Sequence, residues 1–103
     1  MTVIGFLSTA PVVEGSMAGE VAKAVDALEE FDVTYETGPM GTTIEAESTE
    51  ELFAAARAAH EAIDADRVST VLKIDDKRES DRPAREKVDA VVEELGRPAK
   101  HRE

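Results

Sequence analysis

The 103-residue chain predicts an α+β fold of the ferredoxin-like type: a four-stranded antiparallel sheet carrying two helices, with one additional helix at its C-terminal end. Three observations predict it. Apolar residues recur with helical spacing over 17–30, 48–63 and 84–95, and in strand-like runs over 2–10, 32–37, 42–47 and 67–75. The two middle strands are separated only by Gly38-Pro39-Met40-Gly41, so they pair as a hairpin. The elements then follow one another as β-α-β-β-α-β-α, the split βαβ order plus one helix.

Each element has its own warrant. "TVIGFLSTA" is short, rich in β-branched and aromatic residues, and apolar on both alternating faces, with Val3 and Leu7 on one and Ile4 and Phe6 on the other. A strand of that kind is covered on both sides. From Met17, the residues Val21, Val25 and Leu28 share a helical face, and Ser16 stands where a cap belongs. In the hairpin, Val33 and Tyr35 alternate with Thr34 and Glu36, then Ile44 and Ala46 with Glu45 and Glu47. "STEE" at 48–51 is a capping box ahead of a stripe of Leu52, Phe53, Ala56, His60 and Ile63. "RVSTVLKID" is the fourth strand, with Val68, Leu72 and Ile74 on one face and Val71 on the other. Pro83 suits the first turn of the last helix, whose Val88, Val91, Val92 and Leu95 fall on one side, and Gly96 stops it. Residues 1–96 therefore read as one domain and 97–103 as a flexible tail.

Two helices cover one face of such a sheet, so the apolar residues on the other face need a second cover. Either the last helix folds across it or a second subunit does. The expectation is a subunit, giving a homodimer or a dimer of dimers through the sheet.

Composition narrows the function classes. There is no cysteine, which removes disulfides, zinc-thiolate sites and thiol nucleophiles. The 23 acidic and 12 basic residues give a net charge of −11, a field that repels phosphate backbones, so no nucleic-acid partner is expected. The acidity, with no Asn and no Gln in the chain, suits a solvated surface in a halophilic setting. No apolar run approaches the roughly 20 residues that span a bilayer, and no basic flank precedes the first one, so a cytoplasmic protein without a membrane partner is expected.

No catalytic residue emerges. His60 lies beside an apolar helical stripe and His101 in the tail; there is no nucleophile elbow and no phosphate loop. No metal site is expected either, since Asp75, Asp76, Glu79 and Asp81 lack the glycine and final glutamate of a calcium loop. What remains is small-molecule binding at "YETGPMGTTIEAE". Thr37, Thr42 and Thr43 bracket a turn of bare backbone groups, Gly38 and Gly41 remove side-chain bulk, and Met40 offers a polarizable contact to a flat ring.

That segment, followed by "AHEA" and "KIDDKR" and preceded by the apolar run ending in proline at "FLSTAP", resembles the YkoF-like thiamine-binding family of small ferredoxin-fold proteins over most of residues 2–91. The resemblance implies a non-catalytic binding protein for thiamine or its hydroxymethylpyrimidine moiety, with no cofactor, assembled through its sheets. Thr37, Gly38, Met40 and Thr42 match the family's motif; Ser8, Thr9 and Ser16 are added by position, and Lys73 and Asp75 match a motif that serves binding or assembly. Thiamine joins a flat aminopyrimidine to a cationic thiazolium, and Glu36 or Glu45 can draw the cation. No Arg/Lys cradle is expected near this turn, so free thiamine is expected to bind better than its diphosphate. The alternatives are an interaction or regulatory subunit of the same fold that binds no ligand, and an enzyme working through carboxylates such as Glu45 and Asp75.

Overall fold

β1 (Thr2–Pro11) alternates half-exposed and buried residues along its whole length, the signature of a central strand with one face fully covered. Val3, Leu7 and Thr9 point into the covered side; Ile4, Phe6 and Ser8 point to the other. The computed structural model describes residues 2–79 and 81–99. After β1 come α1 (Ala18–Ala27), a single 3-10 turn at Leu28–Glu30, the hairpin β2 (Thr34–Thr37) and β3 (Thr42–Ala46), α2 (Thr49–Ala62), β4 (Val68–Lys77) and α3 (Arg85–Leu95). The strands pair antiparallel throughout, in the order β2-β3-β1-β4, as expected from the sequence. The tail is described only as far as residue 99, and His101 lies outside the described residues.

One face of the sheet carries α1 and α2. Val3, Leu28, Ile44 and Leu52 are the largest fully buried side chains. Each contributes roughly 1.5–3 kcal/mol relative to an exposed position. The alanine-rich α2 lies close to the strands through Ala55, Ala56 and Ala59, all buried. Gly5 makes room for it: a Cβ there would come within 2.8 Å of Leu52 Cδ1. Phe53, expected in the buried stripe, is 55% exposed instead, because the helix turns its small Ala55 and Ala59 inward and there is no depth for a ring.

The ends of the helices are set by side chains the sequence points to, with two changes. The Glu51 amide donates to Ser48 Oγ at 3.1 Å, the N-cap bond of the capping box. The Glu51 carboxylate does not reach back to Ser48; it accepts from the Asp32 amide at 3.0 Å and so ties α2 to the start of the hairpin. Helix α1 begins at Ala18, with Met17 in the cap position, and Ser16 Oγ accepts from the Ala18 amide at 3.3 Å from just outside the helix. At the far end of the chain Gly96 adopts the left-handed conformation (φ 71°), and its amide bonds the Val92 and Glu93 carbonyls as a helix stop.

The second face is covered in part by the chain itself. Helix α3 lies over it, held by its first turn: the Ala84 amide donates to Glu45 Oε1 on β3, and Lys87 pairs with Asp75 on β4. No residue of α3 is buried, and Val88, Val91 and Leu95 are 44%, 56% and 45% exposed. Of the two covers the sequence allows, the last helix is thus present on this face, yet it closes only one end of it.

Candidate ligand-binding site

The open face is written by strand alternation. Pairing puts Glu36, Thr43, Phe6 and Lys73 in one row across β2, β3, β1 and β4, and Thr34, Glu45, Ile4 and Asp75 in the next. Helix α3 roofs the second row through its contacts with Glu45 and Asp75. Between this roof and the sheet lies a cavity of about 640 Å³, lined by both rows and by Ala84, Arg85, Lys87 and Val88. That volume lies within the range of about 300–1,000 Å³ usual for small-ligand pockets.

Three acidic and three basic side chains line it: Glu36, Glu45 and Asp75, and Lys73, Arg85 and Lys87. The cavity is thus balanced in charge, although the chain carries −11. Four of the six are engaged with the fold. Glu45 accepts from the Ala84 amide, where its charge meets the positive end of α3, and from Thr34 Oγ1 at 3.2 Å. Asp75 is held below the ordinary carboxylate range by its hydrogen bond to Lys87 and that residue's charge, with smaller contributions from Lys73 and Lys77. Arg85 faces Asp89 across 3.6 Å, a long exposed pair. The side chains of Glu36 and Lys73 make no hydrogen bond or ion pair among the described residues.

The residues singled out from the sequence divide between the two faces. Thr43 lines the cavity. Ser8 shares its face but lies further along β1, opposite Val71, and does not line the cavity. Thr42 is buried on the helix side, where its hydroxyl lies 3.2 Å from that of Thr37. Thr9 is also on that side, 2.6 Å from Thr70 Oγ1, which in turn lies 2.5 Å from His60 Nδ1. Met40 stands out at the turn, 81% exposed, and Gly38 closes the turn by donating to the Gly41 carbonyl at 2.9 Å. Ser16 serves the start of α1. Tyr35 adjoins the cavity, but its hydroxyl is engaged elsewhere: it donates to the Glu29 carboxylate, a bond that raises its pKa above the ordinary tyrosine value. Asp75 and Asp76 point to opposite faces of β4, so the acidic run cannot converge on one ion.

The glycine-rich turn reaches the cavity through Phe6. A Cβ on Gly41 would stand 2.6 Å from Phe6 Cζ and 2.7 Å from the Leu7 carbonyl oxygen. The bare backbone therefore closes onto the ring that floors the cavity. Phe6, Arg85 and Lys87 are not assigned to a site from the sequence, which names Lys73 only within a motif that serves binding or assembly. Phe6 was visible as an apolar residue on the wrong side of its strand; Arg85 and Lys87 carry no local signal, being brought in by the path of the loop before α3.

Comparison with known proteins agrees with this architecture. The family model for thiamine-binding proteins matches residues 6–92. The chain belongs to the thiamine-binding protein family. It is 49% identical over 83 residues to a UPF0045 protein of Methanothermobacter thermautotrophicus, covering 78% of this chain and 84% of that one. The crystal structure of a hypothetical protein of Methanocaldococcus jannaschii superposes with a TM-score of 0.81 at 32% identity, covering 89% of this chain and 97% of that one. A Thermotoga maritima protein provisionally assigned to thiamine biosynthesis or salvage superposes with a TM-score of 0.70 at 27% identity, over 88% and 99% of the two chains. Among the described residues, no helix is long and apolar enough to cross a membrane, and no group of three or more His, Asp or Glu is placed to hold a metal ion.

Proposed function

We propose that this protein binds thiamine, or its hydroxymethylpyrimidine part, in the cavity between the open sheet face and α3, in the cytoplasm and without a cofactor or a reaction. The observation that carries this reading is the row of Glu36, Thr43 and Phe6 along the cavity floor, in a member of the thiamine-binding protein family. Glu36 and the Thr43 hydroxyl supply an acceptor and a donor for the edge of an aminopyrimidine. The Phe6 ring supplies an apolar surface that also attracts a cation such as thiazolium. Glu45 and Asp75, the carboxylates best placed for acid–base work, are both tied to α3, which supports binding over turnover.

Titration calorimetry and thermal shift with thiamine test this. Thiamine is expected to raise the melting temperature by mass action. Thr43→Val should weaken that shift, whereas Thr42→Val, on the buried helix side, should keep it. A shift lost in Thr42→Val and kept in Thr43→Val would move the site to the other face of the hairpin. Assembly of copies through the sheet belongs to the same proposal. It is supported by the uncovered Val88, Val91 and Leu95 on α3 and by Val71, 61% exposed on the edge strand β4. A monomer in sedimentation at micromolar concentration would count against it.

A further inference from the structure

We propose that the β4 end of the cavity is an anion subsite, centred on Lys73 with Arg85 drawn in from the α3 roof by the ligand, and that the protein prefers a phosphate ester of thiamine over free thiamine. This deepens the thiamine reading and rests on it. The inference starts from charge. In a chain of net charge −11, a random stretch of surface is acidic, yet this cavity holds as many basic side chains as acidic ones. Lys87 is neutralised by Asp75, and Glu45 is spent on the Ala84 amide. The groups left to meet a ligand are Glu36 and Lys73 at the two ends of the floor row, and Arg85 in the α3 roof.

Their order along the floor is specific. Glu36, Thr43, Phe6 and Lys73 are cross-strand neighbours on four consecutive strands, so the row spans three strand spacings, about 14 Å at roughly 4.8 Å each. Thiamine is linear in the same sense: aminopyrimidine, methylene bridge, thiazolium, then a hydroxyethyl arm. With the pyrimidine edge on Glu36 and Thr43 and the thiazolium over Phe6, the arm runs toward Lys73. An esterified phosphate there meets an ammonium that has no hydrogen bond or ion pair among the described residues. The Arg85 guanidinium lines the same cavity from α3, and its ion pair among the described residues is the exposed contact to Asp89. A lysine in the floor and an arginine in the roof of one cavity suit a tetrahedral oxyanion better than a neutral hydroxyl. The hydroxyl of free thiamine would leave the Lys73 ammonium without a hydrogen-bonded anion.

Calorimetry with thiamine, thiamine monophosphate and thiamine diphosphate at fixed low salt reads the preference directly. The monophosphate is expected to bind at least about tenfold more tightly than thiamine, the scale of one charge-assisted contact. The ratio of the two affinities is the diagnostic quantity. It should fall toward one in Lys73→Met, fall in part in Arg85→Gln, and recover in Lys73→Arg, while Lys23→Met on α1 leaves it unchanged. A general loss of fold would weaken both ligands together and leave the ratio intact. Thiamine binding as tightly as its monophosphate, or more tightly, overturns the subsite and leaves the thiamine reading standing. If none of the three binds, the thiamine reading fails, and inorganic pyrophosphate decides the subsite alone. A thermal shift that Lys73→Met abolishes supports it, and no shift, or one that persists in that variant, overturns it.

Discussion

The two faces of one sheet obey opposite rules, although the same strands write both. On the helix side, Val3, Leu7, Ile44 and Ala46 alternate with Leu52, Ala55 and Ala59 from α2 in a core that excludes water almost completely. On the open side, the intervening residues Ile4, Phe6, Thr43, Glu45, Lys73 and Asp75 mix apolar, hydroxyl and charged groups around a cavity. The first face is held by volume, and the second by a few directed contacts from α3. A substitution on the first should therefore be read in stability, and one on the second in binding.

The largest effect expected from this contrast is at Leu52. Leu52 is fully buried and packs over Gly5, so Leu52→Ala removes contacts and leaves a void that β1 cannot fill without its own side chain. Equilibrium denaturation should show a loss of about 2–5 kcal/mol. Ile4→Ala, one residue from Gly5 but on the open face, should cost markedly less, because its side chain is only half-buried. Equal losses would mean that the open face is sealed in solution, by α3 or by a second copy, as tightly as the helix face.

The difference between the faces also explains what could be foreseen. The covered face follows from periodicity alone: alternation in β1 and β3, helical spacing in α2, and the Ser48 cap each predict their own element. Burial is a local average, and a short window carries it. The cavity is assembled from residues far apart in sequence, such as Glu36, Phe6, Lys73 and Arg85, and no window contains them together. The glycine-rich turn carries the threonines that the sequence singles out. Its threonines divide by parity, Thr43 toward the cavity and Thr42 into the core, and its Gly41 acts on the site through Phe6. Parity of the hairpin would have separated the two threonines, had the covered face of β3 been fixed first from Ile44 and Ala46.

Gly41 is where the two faces meet, and it gives the next largest effect. Gly41→Ala places a Cβ against the Phe6 ring and the Leu7 carbonyl, and the second contact is with backbone, which cannot swing aside. Overpacking of this kind costs about 1–3 kcal/mol. The same displacement moves Phe6, so ligand affinity should fall together with stability. In Gly38→Ala, by contrast, the added Cβ meets only the Gly41 carbonyl oxygen, at 3.6 Å, an ordinary contact. Both quantities should stay near the parent's there. If Gly41→Ala lowered stability but not affinity, Phe6 would not be part of the floor that the ligand touches.

The smallest expected effect concerns the tether of α3, and pH isolates it. Asp75 is held below the ordinary carboxylate value of 3.8, first by its hydrogen bond to Lys87 and then by that residue's charge. A carboxylate with a lowered folded-state pKa takes up its proton more readily in the unfolded chain. Its contribution is therefore complete above the unfolded value and is lost as pH falls through the lower folded one. The core of the helix side has no such dependence, since its buried residues are almost all apolar. Acidification below about pH 4 should thus loosen the first turn of α3 before α2. Amide protection factors, corrected for intrinsic exchange, should fall at residues 85–88 while those of α2 hold. In Lys87→Met the Asp75 carboxyl, followed by NMR titration, should return most of the way toward 3.8, with the remainder kept down by Lys73 and Lys77. An Asp75 titration unmoved by that substitution would show that the helix is held over the cavity by Glu45 alone.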